Sequence, residues 1–208
     1  MLDNAYVNDV LGFVNPHPDG NCGYRAVSLA VFDNEIAWIQ VKKMMLATFT
    51  KYANTLYNTY GLNEAYTSKK LQSTRAPCLD DLSLWFDCYG CPQIVADTFK
   101  RPVILHATTP KVDKYEITWR DNDGNIIYTK DSITFVPLLG LDLETMNDPI
   151  QLLFANSHFY MILPQIDNKT KKACKVKKWP TLNFSHQKVF DAHRDICVND
   201  VSHYFQNN

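Results

Sequence analysis

Residues 15–32 read NPHPDGNCGYRAVSLAVF. The part before Cys22 is built from proline, aspartate, glycine and asparagine, residues that favour turns. Beyond it, Val27, Ala30 and Val31 recur at helical spacing, which places Cys22 where a loop enters a helix. A helix N-terminus carries partial positive charge and unpaired N–H groups, and both favour a thiolate over a thiol. The thiolate is the nucleophile, and a free thiol with a pKa of about 8.5 is mostly protonated at neutral pH. The backbone N–H groups of Gly20 and Asn21 are candidates for an oxyanion site, where each donor is worth about 2.7–4 kcal/mol to a transition state. Gly23 leaves room for a substrate to approach the backbone.

A cysteine nucleophile needs a base, brought from far away in sequence and held on a rigid element. The candidates are His17, His106, His158, His186, His193 and His203. His17 lies too close to Cys22 to be positioned independently, and the last three fall in a compositionally distinct tail. His106 ends a predicted strand. His158 opens an apolar strand directly after the turn-forming pair Asn156-Ser157, and is the preferred base.

Working outward, a long helix is expected over about 35–57, with Ala37, Val41, Met44, Met45, Thr48, Tyr52 and Leu56 as its buried stripe. Gly61 is its expected stop. Further helical units are expected over about 63–71 and 93–100. From Arg101 the pattern changes to short β-type runs: PVILHAT, YEITWR, NIIYT, SITFVPL, IQLLFA and HFYMIL. The DNDGN between the second and third predicts a hairpin turn. Helices first and an antiparallel-looking sheet second give an α+β class rather than alternating β-α units. After Pro164 the chain turns basic (KTKKACKVKK), and Val189, Ala192, Ile196, Val201 and Phe205 suggest a helix over 185–205. The expected division is therefore a domain over 1–165, then a basic linker and C-terminal helix over 166–208.

The totals exclude several classes. At 208 residues, with 46% apolar and 21% charged residues, the chain suits one globular domain with a short extension. A formal net charge of −1 argues against a nucleic-acid binder as a whole. The first residues lack the basic start and apolar run of a signal peptide. No apolar stretch approaches the roughly 18 residues that a membrane helix needs. These features point to an intracellular protein, cytoplasmic or nuclear, with reduced cysteines and no membrane partner.

The segment Asp19-Gly20-Asn21-Cys22-Gly23-Tyr24-Arg25-Ala26 resembles the D-G-N-C-[LG]-[FY]-R-[AS] signature of the ovarian-tumour (OTU) cysteine proteases. Trp85-Phe86-x3-Gly90, Ile94-Val95-Ala96 and Arg101-Pro102-Val103-Ile104 are similar to that family's next blocks, in the same order. Ile133 to Leu138 and Asn156-Ser157-His158-Phe159 resemble its closing segments, most nearly those of OTU domains in transposon-derived genes. The resemblance spans about residues 10–165. It implies a papain-like α+β fold and hydrolysis of the isopeptide bond at the C-terminus of ubiquitin or a ubiquitin-like protein. It also implies Cys22 as nucleophile, His158 as base and no cofactor. Asp19 matches a family position that several members count in the catalytic set, either orienting His158 or ordering the oxyanion loop. Many members carry Asn or Asp two residues after the histidine; here that position is Tyr160. Asn156, or an acidic residue from elsewhere, is the expected substitute, and a slow or inactive enzyme follows if there is none.

Two other features have plainer readings. Cys88-x2-Cys91, with Cys78 and His106, has zinc-site arithmetic, but no second C-x-x-C pair exists and buried thiols are the commoner outcome. No metal is therefore expected. The lysine run at 169–178 could be a nuclear signal or a nucleic-acid patch; a solvated linker is commoner. A ubiquitin-binding module without catalysis, and a thiol peptidase of broader specificity, are the competing functions.

Overall fold

The structure, a computed structural model, describes residues 10–75, 81–107, 119–120, 126–127, 132–140, 148–170, 173–174, 176, 179–183 and 185–197. A strand β1 (Val10–Val14) leads through the turn-rich loop into α1 (Cys22–Phe32). A 3-10 turn (Glu35–Ala37), α2 (Trp38–Tyr52), a π turn (Ala53–Tyr57) and α3 (Asn58–Tyr60) follow end to end, and Gly61 stops them at φ 99°. The expected single helix over 35–57 is thus segmented. The wider π turn adds a residue to the register, and Leu56, Tyr57 and Tyr60 all reach the core. The buried stripe also differs from expectation. Trp38, Val41, Lys42, Met45 and Phe49 face inward, while Met44 lies on the exposed side. Lys42 is admitted because its ammonium lies 4.5 Å over the Tyr24 ring.

Next come α4 (Glu64–Gln72), capped by the Asn63 side chain, and α5 (Gly90–Phe99), which ends at Lys100 in the left-handed region. The later strands are β2 (Val103–Ala107), β3 (Trp119–Arg120), β4 (Ile126–Ile127), β5 (Ile133–Phe135), β6 (Ile150–Ala155), β7 (His158–Pro164) and β8 (Thr181–Leu182). A last helix, α6, covers Ser185–Ala192. β3 and β4 pair antiparallel; the expected hairpin turn between them lies outside the described residues.

The six-stranded sheet runs β1-β7-β6-β2-β5-β8. It is mixed, not antiparallel throughout: β2 and β6 are parallel, as are β5 and β8. The sequence hid this because Val103, Ile104 and Leu105 are buried on both faces, the continuous apolar pattern of a central strand rather than an alternation. The C-terminal helix is shorter than expected: it ends at Ala192, which is exposed, and 193–197 form turns. Val201 and Phe205 lie outside the described residues. What precedes 197 packs on the main body. Thr181 and Leu182 extend the sheet, Tyr89 Oη meets Ser185 Oγ at 2.8 Å, and Thr59 Oγ1 meets His193 Nε2 at 2.7 Å.

Two devices set α1 and α5 against the sheet. The first is an aromatic column: Tyr24 meets Phe86 edge-on at 5.1 Å, and Phe86 meets Phe159 edge-on at 5.0 Å. Such pairs contribute about 0.5–1.5 kcal/mol each beyond burial. Gly23 permits the contact, because a Cβ there would lie 2.4 Å from Phe86 Cβ and Cγ. Its role is thus internal packing, not the approach of substrate. The second is Asp87, whose Oδ1 accepts from the Tyr89 and Cys91 N–H groups at the start of α5 while Oδ2 pairs with the buried Lys70 ammonium. Burial pushes the Asp87 carboxyl up, but Lys70 and these N–H groups outweigh it and hold it at about 2.

Asp87→Asn is expected to cost about 3–5 kcal/mol in urea unfolding, because it strands a buried ammonium. The folded-state pKa of Asp87 is depressed from 3.8, so the stability it supplies is complete above about pH 4 and fades as pH falls through about 2. The difference between wild type and variant should shrink over that interval; a difference independent of pH contradicts the ion pair.

Candidate active site

The loop between β1 and α1 is ordered by its own side chains. Asp19 Oδ1 accepts from the Asn21 N–H at 3.0 Å and from Arg25 Nε at 3.1 Å, and Asp19 Oδ2 accepts from Arg25 Nη2 at 2.7 Å. Gly20 takes φ 79°, a left-handed bend that suits glycine. Burial pushes the Asp19 carboxyl up, but Arg25 and the Asn21 N–H overcome it, so it stays ionised below its ordinary range. Asp19 therefore orders the loop; His158 takes a different partner. The Asn21 N–H, expected to face an oxyanion, is already committed to Asp19. Gly20 keeps an N–H that makes no hydrogen bond to another described residue, and it lines the cleft.

Cys22 is the first residue of α1, as its sequence context requires, and is 4% exposed. The backbone N–H groups of Gly23 and Phe159 point at its sulfur. The Phe159 contact seats the thiol against the residue that follows His158. The expectation of a lowered thiol pKa is not met. Burial pushes the Cys22 thiol above its ordinary value of 9.0 and the Asp19 charge adds to the rise, outweighing those N–H groups.

His158 starts β7, after a hairpin turn in which Asn156 and Ser157 take φ 53° and 58°. Two successive positive values mark the I′ geometry that asparagine tolerates. Asn156 thus shapes the turn, and among the described residues it makes no hydrogen bond to the imidazole. That partner is Asn15: its Oδ1 lies 2.9 Å from His158 Nε2. With an amide oxygen as acceptor, Nε2 carries the proton and Nδ1 is the basic nitrogen. Burial lowers the His158 pKa below 6.5, and the Pro16 carbonyl, which favours the protonated ring, opposes this only in part. Tyr160, at the position where an orienting residue was sought, stands edge-on to the imidazole at 4.7 Å. Asn15 was missed because only the loop's turn character was read. No local pattern marks it as the partner of His158.

Cys22, His158, Asn15, Gly20, Trp85, Asn156 and Tyr160 line one cleft of about 380 Å³. The runner-up base is elsewhere: His106 is 1% exposed in β2 and bonds Gln151 Oε1 at 3.1 Å. His17 is exposed on the loop, His186 and His193 belong to the C-terminal region, and His203 lies outside the described residues. Cys88 and Cys91 are buried, and the Cys91 thiol, pushed up to about 12 by burial, donates to Asp87 Oδ2 at 3.4 Å. Among the described residues no three His, Cys, Asp or Glu side chains gather as a metal site; Cys78 lies outside them.

No family model and no curated protein matches the sequence. Solved structures do. The viral OTU domain protease from Qalyub virus matches with a TM-score of 0.51 at 18% identity, over 77% of this chain and 87% of that one. The fold is OTU-like. The viral OTU domain protease from Dera Ghazi Khan virus matches at TM-score 0.49 and 16% identity, over 76% and 84% of the two chains. The Hazara virus OTU, solved bound to ubiquitin, matches at 0.42 and 14%, over 75% and 82%. At these identities the likeness is one of fold.

The site's electrostatics make a prediction that needs no substrate. The rate of Cys22 alkylation by iodoacetamide should rise with pH with a midpoint above that of an ordinary thiol. A midpoint below neutrality would mean that a preformed thiolate–imidazolium pair exists instead.

Proposed function

We propose that this chain is a thiol-dependent isopeptidase that hydrolyses the bond at the C-terminus of ubiquitin or a ubiquitin-like protein. The observation that carries the reading is the Asn15–His158 hydrogen bond in the same cleft as Cys22. It places an oriented base and a thiol in one cleft, on an OTU-like fold. The quoted sequence blocks add the substrate class, and within the family they favour the OTU domains of transposon-derived genes. The protein would act inside cells, in the cytoplasm or nucleus, with residues 1–165 as the protease domain and 166–208 as an extension whose β8 completes that domain's sheet.

The pKa directions shape the mechanism. A raised thiol and a lowered imidazole leave both groups neutral at rest. His158 Nδ1 therefore takes the Cys22 proton as sulfur attacks the carbonyl carbon, while Nε2–H stays on Asn15. The carbonyl oxygen becomes the oxyanion, and the Gly20 N–H is its candidate donor. Protonated His158 then gives its proton to the departing lysine amine as the C–N bond breaks, leaving a thioester. His158 next deprotonates water, whose attack releases the substrate's C-terminal carboxylate and restores the thiol.

The buried thiol also favours a second reading, a catalytically weak ubiquitin-binding module. One experiment decides: labelling by ubiquitin bearing a C-terminal electrophile. Wild type should form an adduct and Cys22→Ala none. His158→Ala should slow labelling by about 10²–10⁴, and Asn15→Ala by about a hundredfold. Binding without an adduct would establish the module. Slowing by Asn156→Ala but not by Asn15→Ala would overturn the assignment of the orienting group.

A further inference from the structure

The orienting amide sits on a loop rather than on the strand that carries the histidine, so something must hold that loop. The loop contains Pro16, Pro18 and Gly20 and has no regular structure of its own. Asp19 and Arg25 secure its C-terminal end. Its centre is secured from outside: the His17 N–H donates to Glu35 Oε1 at 2.8 Å, and the same oxygen lies 3.4 Å from Arg25 Nη1. Glu35 begins the 3-10 turn after α1. That turn is itself braced: Asn34 Oδ1 caps the Ile36 N–H at 2.9 Å, and the Ser28 hydroxyl donates to the Asn34 carbonyl. Glu35 is absent from the cleft lining.

We propose that Glu35 is a positioning residue for His158. By fixing the backbone at residue 17 it fixes Asn15, two residues earlier, and hence the tautomer of the imidazole. The contact is partly exposed, and exposed ion pairs contribute little to stability. A small misplacement of a group that aligns a base nevertheless costs rate. Glu35 should therefore matter to the site far more than to the fold. The kinetic part rests on the isopeptidase reading; the imidazole part does not.

The test is a double-mutant cycle with a fluorogenic C-terminal amide of ubiquitin, with nitrogen NMR of the His158 imidazole in the free protein. Glu35→Ala should lower kcat by about tenfold with KM little changed, and in the Asn15→Ala background the same substitution should do almost nothing. Glu35→Gln, which keeps an oxygen for the His17 N–H, should retain most of the rate. The thermal midpoint should stay close to that of wild type. In the spectrum, the Nε2–H tautomer should dominate wild type and lose population in Glu35→Ala. An equal loss of kcat in both backgrounds, or an unchanged tautomer, overturns the inference. If wild type fails to process ubiquitin, the proposed function falls, and the imidazole spectrum alone decides the role of Glu35.

Discussion

The hydrogen bond from His158 to Asn15 joins positions 143 apart in the chain, and the candidate site depends on it. Its geometry is set by strand pairing. β1 runs antiparallel to β7 and ends at Val14, opposite Met161. The chain therefore leaves the sheet three residues from His158, and the next side chain along is Asn15. From there seven residues reach Cys22, and the loop returns the chain to the start of β7 by way of α1. One strand register thus delivers the orienting amide, and one loop delivers the nucleophile.

The aromatic column beneath the site makes the same meeting from below. Tyr24 follows Cys22 by two residues, Phe159 follows His158 by one, and Phe86 stands between them. Gly23 lets Phe86 come close enough to join the two. The same close packing has a chemical consequence. It seals the sulfur from solvent, and the desolvation of a thiolate outweighs the N–H groups that favour one. A helix N-terminus lowers a thiol's pKa only while the sulfur remains hydrated or directly paired with a cation. On the proposed function, a neutral pair would transfer its proton during attack.

Much of this was legible in the sequence. A turn-rich loop running into a helical repeat placed Cys22 at the start of α1, and Asn156-Ser157 ahead of an apolar run placed His158 at the start of β7. The α+β class followed from the order of patterns. What was not legible depended on distant contacts. Asn15 becomes a partner only through the β1–β7 register, which no local pattern encodes. Lys42 reads as a surface residue until the Tyr24 ring is beneath it, and Met44 reads as core although it lies on the exposed side. The parallel pairing of β2 with β6 is invisible because both strands are apolar runs. Asp19 stands out through its neighbours in the sequence, but its partner Arg25 had to be seen.

A crystal structure of the Cys22 adduct with a ubiquitin C-terminal electrophile tests the central claim most directly. The His158 imidazole should stand beside the modified sulfur, with its Nε2 hydrogen-bonded to the Asn15 amide oxygen. An imidazole turned away from the sulfur, or held at Nε2 by Asp19, Asn156 or Tyr160 instead, would contradict it.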